Sequence, residues 1–157
     1  MRSKRLFRLA PIAISLLCFA QPPNAAPFDP VPLVDGYLAA RLATMQPGAT
    51  EKDVDKALTY LADDAVYEHP RAKARIVGKS AMRAGMIGFL GGSGSVQIKT
   101  VNRMSNPAAV VVEQRVDITM KKEGGKISQM GHDQITVFEI KDGKISRIID
   151  YWVPGNQ

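Results

Sequence analysis

The sequence is poor in cysteine and has no hydrophobic run of membrane-spanning length. Its only cysteine is Cys18, near the N-terminus, so no internal disulfide framework can form. The apolar run over residues 9–20 is shorter than the roughly 20 residues that a spanning helix needs. We therefore expect a fold that is stable without disulfides and a chain that no membrane-spanning helix anchors.

The apolar run has the features of an export signal. A basic segment with no acidic residue precedes it, and it ends in Cys18-Phe19-Ala20, at the spacing of a cleavage site. This pattern predicts a secretory signal peptide over residues 1–20, with an alternative cleavage after Ala26. Removing residues 1–20 would lower the net charge from +6 to about +2, so the high pI does not indicate nucleic-acid binding. We expect an exported protein, periplasmic or extracellular, without a nucleic-acid partner and without membrane attachment after cleavage.

The rest of the chain is predicted to form helices first and strands afterwards. Residues 21–32 are rich in proline and are expected to be a flexible lead-in to one domain over residues 33–154. Apolar spacing predicts helices over about 33–45, 50–62 and 79–90. Alternation and turn residues predict strands at 65–70, 74–77, 95–103, 109–120, 126–140 and 144–153, the last two joined by a type I′ turn at Asp142-Gly143. This order favours an α+β fold, with three helices over one face of a curved, mixed but mostly antiparallel sheet.

The strand over residues 109–120 has two faces of different character. One face is largely polar and carries Val111, Glu113, Arg115, Asp117 and Thr119, whereas the other carries Val110, Val112, Gln114, Val116 and Ile118. Because an arginine beside carboxylates is costly to bury without a purpose, we expect the polar face to line a site under the helices. The apolar face would then need a second subunit as cover, which predicts a homodimer through the sheet.

Asp150 is predicted to join that site from the last strand. Arg115 could then lie between Asp117 and Asp150 and hold one carboxyl group as an acid and the other as a base. Tyr67 and His69 share one face of a short strand, from which both could hold a water molecule. A base, an acid and a held water are what the hydrolytic opening of a strained ring requires.

The remaining predicted site residues are mostly apolar and favour a small apolar substrate. Glu113 would add a further carboxylate, and Trp152 would fill the floor of the cavity. The other predicted lining residues are Val111, Met86, Phe89, Leu90, Phe138 and Ile148. His132 is interpreted as structural, and its spacing from His69 does not indicate a metal site, so neither a metal nor another cofactor is expected.

Several segments resemble the limonene epoxide hydrolase family, within the nuclear-transport-factor-2-like, or SnoaL-like, superfamily. They are Asp-Ala-Val-Tyr-Glu-His-Pro at 64–70, Gly-Lys at 78–79, Gln-Arg-Val-Asp at 114–117, Phe-Glu-Ile-Lys-Asp-Gly-Lys-Ile at 138–145 and Asp-Tyr-Trp at 150–152. The resemblance spans residues 33–152 and implies a cone-shaped sheet of the cystatin-like type and a cofactor-independent epoxide hydrolase. It implies that Asp150 is the base, Asp117 the acid, Arg115 the bridge between them and Tyr67 a water-holding group. His69 stands where that family has asparagine.

Three other interpretations of the same residues remain open. Arg115, Asp117 and Asp150 could form a purely structural ion network. The protein could be a SnoaL-like cyclase or isomerase, which needs only one well-placed carboxylate for proton transfer beside a carbonyl. It could also be an exported binding protein that holds a small hydrophobic ligand without turnover.

Overall fold

The computed structural model describes residues 28–90, 94–121 and 127–152. The predicted signal peptide, residues 21–27 of the lead-in and the predicted turn at 123–125 lie outside these ranges. The helices are α1 (Val31–Ala43), α2 (Glu51–Leu58) and α3 (Lys79–Gly88). The strands are β1 (Leu61–His69), β2 (Ala74–Val77), β3 (Ser95–Asn106), β4 (Ala109–Lys121), β5 (Ile127–Lys141) and β6 (Lys144–Trp152).

The six strands form one sheet in the order β2-β1-β6-β5-β4-β3. Neighbouring strands are antiparallel except β1 and β6, which pair in parallel. Asp142 and Gly143, between β5 and β6, both have positive φ angles, 51° and 69°, as the predicted type I′ turn requires. The predicted α+β class, with a mixed and mostly antiparallel sheet and three helices, is confirmed.

Helix α2 begins where the sequence predicts but ends earlier. The backbone N–H of Thr50 donates to Asp53 Oδ2 at 2.8 Å and closes a capping box. Leu61 continues the helical spacing of apolar residues, yet it pairs with Ile145 as the first residue of β1. Leu61 would be buried either as the last turn of a helix or as the first residue of a strand, so the spacing of apolar residues could not show where the helix ends. Within the described ranges, no helix is long and apolar enough to cross a membrane.

The three helices pack against one face of the sheet, here called the helix-covered face. It carries Val110, Val112, Phe138 and Ile148, all almost fully buried. The helices meet it with Val34, Tyr37, Val54, Leu58, Met82 and Met86. The ring of Tyr37 packs edge-on against that of Phe138, with centroids 5.8 Å apart. This cluster is the core of the domain.

The helix-covered face is the opposite of the one that we predicted. On β4 it carries the mostly apolar set, whereas Glu113, Arg115 and Asp117 point to the other side, here called the outer face. Covering valine side chains stabilises the fold, while burying a guanidinium and two carboxylates would carry a large desolvation cost. The chain's own helices therefore cover the apolar set, and the reason that we gave for a second subunit on that set was wrong.

Candidate active site

Asp150 lies on the helix-covered face, partly buried, opposite Thr136 of β5. Its Oδ1 accepts hydrogen bonds from Thr136 Oγ1 at 2.7 Å and from Gln134 Nε2 at 3.2 Å. Both donors come from alternate positions of one strand, so they share a face with Asp150. Among the described residues Asp150 has no ion-pair partner, and neutral donors hold its carboxylate.

Tyr67 and His69 reach Asp150 from β1. The parallel register pairs Tyr67 with Ile148, which places His69 level with Asp150. The Tyr67 hydroxyl lies close enough to the Asp150 carboxylate for each group to shift the pKa of the other. His69 is buried, and its Nδ1 accepts the backbone N–H of Ala72 at 3.3 Å, so a neutral His69 ring carries its proton on Nε2. The structure thus brings three of the five predicted catalytic residues together.

Trp152 lies between the two histidines of the chain. Its ring centroid is 4.9 Å from that of His69 and 4.9 Å from that of His132. His132 Nε2 is 3.4 Å from Gln134 Oε1, so His132 connects to Asp150 through Gln134. We interpreted His132 as structural only. The strand period could have revealed its position, because residues 132, 134 and 136 lie on the same face of β5 as Phe138.

The surroundings of Asp150 change its acidity. Burial raises the pKa of Asp150, and the hydrogen bond from Thr136 and the nearby Tyr67 hydroxyl oppose that effect. Burial also raises the pKa of Tyr67, with a further contribution from the Asp150 charge, and raises that of Tyr37 to about 12. At neutral pH both tyrosine hydroxyls therefore remain protonated, while Asp150 has a greater proton affinity than an exposed aspartate.

This raised pKa predicts a pH-dependent stability. The folded state favours protonated Asp150, so its contribution to the free energy of unfolding is fully present below the ordinary pKa of 3.8 and is lost as the pH rises through the raised value. Asp150→Asn cannot ionise and should gain stability relative to the native chain over that rise. Urea unfolding of both proteins across pH 3–7 measures this, and a constant difference would contradict the raised pKa.

Arg115 and Asp117 do not belong to this site. On the outer face, Arg115 Nε lies 3.4 Å from Asp117 Oδ1, and Arg115 Nη1 lies 3.3 Å from Asp133 Oδ1. The side chain of Asp117 is 60% exposed. Gly131 leaves room for this cluster, since a Cβ there would lie 2.5 Å from Arg115 Nη2. The predicted bridge from Arg115 to Asp150 was wrong, because odd-numbered positions of β4 face away from the helices.

The predicted lining residues divide between the two sides of the sheet. Met86, Phe138 and Ile148 are buried in the core under the helices, and Leu90 packs partly against it. Val111 and Glu113 lie on the outer face. Phe89 follows α3 and is 74% exposed. Three of these predictions were therefore wrong. Val111 and Glu113 lie on the face of β4 that the helices do not cover, and Phe89 lies beyond the end of α3, which we predicted to continue to residue 90.

Two polar residues near the site were not predicted as site residues. Gln114 is only 3% exposed and pairs with Gln134 across the sheet. It helps to line a cavity of about 140 Å³ between α1, which contributes Leu38 and Leu42, and the sheet. Arg41, near the end of α1, is close enough for its charge to lower the pKa of Asp150. The described residues contain no cluster of three or more histidine, cysteine or acidic side chains that could hold a metal ion.

Comparison with known proteins finds both a family and similar folds. Residues 42–148 match the family model for the SnoaL-like domain. The LEH-like epoxide hydrolase of M. tuberculosis is 25% identical, with a TM-score of 0.59 over 78% of this chain and 81% of that one. No curated protein sequence matches the chain.

Two further solved structures show the fold alone. A protein from Shewanella denitrificans OS-217, provisionally described as a SnoaL-like polyketide cyclase, has a TM-score of 0.65 at 17% identity, over 78% of this chain and 89% of that one. A protein from Kribbella flavida DSM 17836, provisionally described as a ketosteroid isomerase, has a TM-score of 0.58 at 19% identity, over 80% and 78%.

Proposed function

The chain belongs to the SnoaL-like domain family, and we propose that it is an isomerase or cyclase in which Asp150 alone moves a proton beside a carbonyl group. The observation that carries this proposal is the number of carboxylates at the site. Among the described residues of β4, β5 and β6, Asp150 is the one carboxylate on the helix-covered face. Proton transfer at carbon needs one base, whereas epoxide opening by the expected pair needs two carboxyl groups.

The groups around Asp150 suit the removal of a proton from carbon. Asp150 takes the proton, and the electron pair of the broken C–H bond moves to the carbonyl oxygen. A neutral donor on the same face, His69 Nε2–H, can hold that oxygen as its charge develops. In an isomerisation, Asp150 returns the proton to another carbon of the enolate. In a cyclisation, the enolate carbon bonds to a second carbonyl carbon, and the oxygen of that carbonyl takes the proton from Asp150.

This proposal is tested by proton exchange in heavy water. The protein is incubated with small ketones such as 2-indanone, and proton NMR follows the loss of signal from carbons beside the carbonyl. We expect exchange faster than in buffer at the same pH. Exchange at the buffer rate for every ketone, with the protein folded, would overturn the proposal.

Epoxide hydrolysis is the second candidate. Two observations favour it: the 25% identity to the LEH-like epoxide hydrolase, and the position of Tyr67 and His69 beside Asp150, where both could hold a water. Without Asp117, the proton for the epoxide oxygen would have to come from another group, such as protonated His69. Diol formation from styrene oxide, without exchange of any ketone, would select this function over proton transfer.

We also propose that two copies pair through the outer face. Three strands expose apolar side chains there: Met104 on β3, Ile135 on β5 and Tyr151 on β6. Exposed apolar groups that cluster on one surface are typical of a subunit interface. This face differs from the one first predicted to pair.

The predicted dimer should be sensitive to a charge on the outer face. Ile135→Glu places a carboxylate among these apolar side chains and should convert the dimer into a monomer, because pairing would remove that charge from water without an ion-pair partner. Phe89→Glu is the matched control at an exposed apolar residue away from that face and should remain dimeric. Sedimentation velocity gives the oligomeric state; a native chain that sediments as a monomer would refute the pairing.

A further inference from the structure

Arg41 is a partly buried cation whose hydrogen-bond partner is neutral. Its Nη1 donates to Thr44 Oγ1 at 2.8 Å, and the Thr44 hydroxyl donates to the backbone oxygen of Arg41 at 2.7 Å. Thr44 is 3% exposed, so the end of the Arg41 side chain reaches a buried atom. Within the described ranges, no carboxylate lies in ion-pair distance of Arg41, so no described side chain neutralises its charge.

The other partly buried arginines of the described chain all have acidic partners. They are Arg83 with Glu51 and Asp55, Arg103 with Asp35, and Arg147 with Glu68 and Glu139. Pairing is the usual condition for a guanidinium that leaves bulk water. Among the described residues Arg41 departs from that condition, so its guanidinium is available to an anion from outside the chain.

Arg41 lies on the side of α1 that faces the site. Tyr37 and Arg41 are four residues apart and so share one side of the helix, and Tyr37 packs against Phe138 of the sheet. The charge of Arg41 acts on three groups there, lowering the pKa of Asp150, Tyr67 and Tyr37. Arg41 on α1 and Asp150 on β6 thus approach the same space from the helices and from the sheet.

The free atoms of Arg41 fit a carboxylate. Nη1 is occupied by Thr44, whereas Nε and Nη2 have no protein partner among the described residues. These two N–H groups form the side of the guanidinium fork that binds both oxygens of a carboxylate. A carboxylate there would gain two charge-assisted hydrogen bonds that an uncharged amide of the same shape could not match.

We propose that Arg41 binds a carboxylate of the substrate, so that the substrate is a small ketone that also carries a carboxylate group. The ketone half rests on the proposed function, since Asp150 acts on the carbon beside the carbonyl. The carboxylate half rests on Arg41 alone. A molecule that spans the site would present its carboxylate to α1 and its reacting carbon to β6.

The test compares two ligands that differ in charge but hardly in shape. They are 4-oxocyclohexanecarboxylate and 4-oxocyclohexanecarboxamide, and calorimetry measures the binding of each to the native protein at pH 8. We expect the carboxylate to bind about tenfold more tightly or better. Arg41→Met should abolish this preference, Arg41→Lys should keep part of it, and Arg83→Met, a helical arginine with acidic partners, should keep all of it.

The outcomes separate this proposal from the proposed function. Equal binding of both ligands by the native protein overturns the carboxylate site, and that comparison needs no variant to fold. If Arg41→Met still binds the carboxylate more tightly than the carboxamide, the carboxylate site is also overturned, and Arg41 only stabilises the end of α1 through Thr44. Tight binding of the carboxylate without deuterium exchange would support the site and refute proton transfer. Exchange of both ketones at equal rates and equal affinity would support proton transfer and refute the site.

Discussion

Asp150→Asn is expected to slow exchange at the carbon beside a ketone carbonyl by about 10²–10⁴-fold, the usual contribution of a positioned acid or base. Asparagine keeps an oxygen that can accept the hydrogen bonds from Thr136 and Gln134, so the local structure should persist. It has no useful affinity for a proton, however, and the site would lose its base. Proton NMR of 2-indanone in heavy water gives both rates under identical conditions.

The pH dependence of the native rate provides an independent check. Only ionised Asp150 can take a proton, so the rate should rise with pH through the pKa of Asp150. Burial raises that pKa, and the midpoint should therefore lie above the ordinary value of 3.8. Asp133→Asn, on the exposed outer face, is the matched control and should leave the rate unchanged. Exchange by Asp150→Asn at the native rate would remove Asp150 from the chemistry.

Phe138→Ala is expected to lower the free energy of unfolding by about 3–5 kcal/mol. Phe138 is 1% exposed and lies at the centre of the core, with the ring of Tyr37 packed against it. Truncation would leave a cavity between α1 and the sheet that close-packed neighbours could fill only in part. Urea unfolding monitored by circular dichroism measures the change.

An exposed phenylalanine provides the comparison for this effect. Phe89→Ala removes the same ring at a position that is 74% exposed, and it should change the free energy of unfolding by no more than about 0.5 kcal/mol. Similar losses for both variants would contradict the placement of the core. A Phe138→Ala protein of native stability that only bound ligand more weakly would return Phe138 to its first predicted role, as a substrate-binding residue rather than a core residue.

Much of the fold was predictable because local patterns determine it. The period of two in the later strands, the Asp142-Gly143 turn and the Thr50 cap each rest on residues close together in the chain. The boundary between α2 and β1 could not be predicted from such local patterns. Leu61 is buried by its pairing with Ile145, a residue far along the chain, and the helical spacing alone gives no sign of that contact.

The site was predicted only in part, because a strand pattern separates two faces without stating which one the helices cover. Taking the charged face of β4 as the functional one placed Arg115 and Asp117 under the helices. Desolvation decides the matter in favour of the valine face, and this physical argument was available from the sequence. Tyr67, His69 and Asp150 were placed together correctly because β1 and β6 are neighbours.

Arg41 and Gln114 could not have been selected without the three-dimensional structure. Arg41 is one of many basic residues in the sequence, and what distinguishes it is the lack of an acidic partner among the residues that the structure describes. Gln114 stands among valines on β4, where a glutamine is unremarkable until its deep burial is known. Both properties arise from contacts between distant segments.

The most direct test of a single working carboxylate is the exchange rate of Asp117→Asn, measured beside that of the native protein. Asp117 lies on the outer face with Arg115, away from Asp150, so the structure predicts an unchanged rate. A loss as large as that expected for Asp150→Asn, in a folded protein, would show that both carboxyl groups take part in the reaction, and it would contradict the one-base site described for this domain.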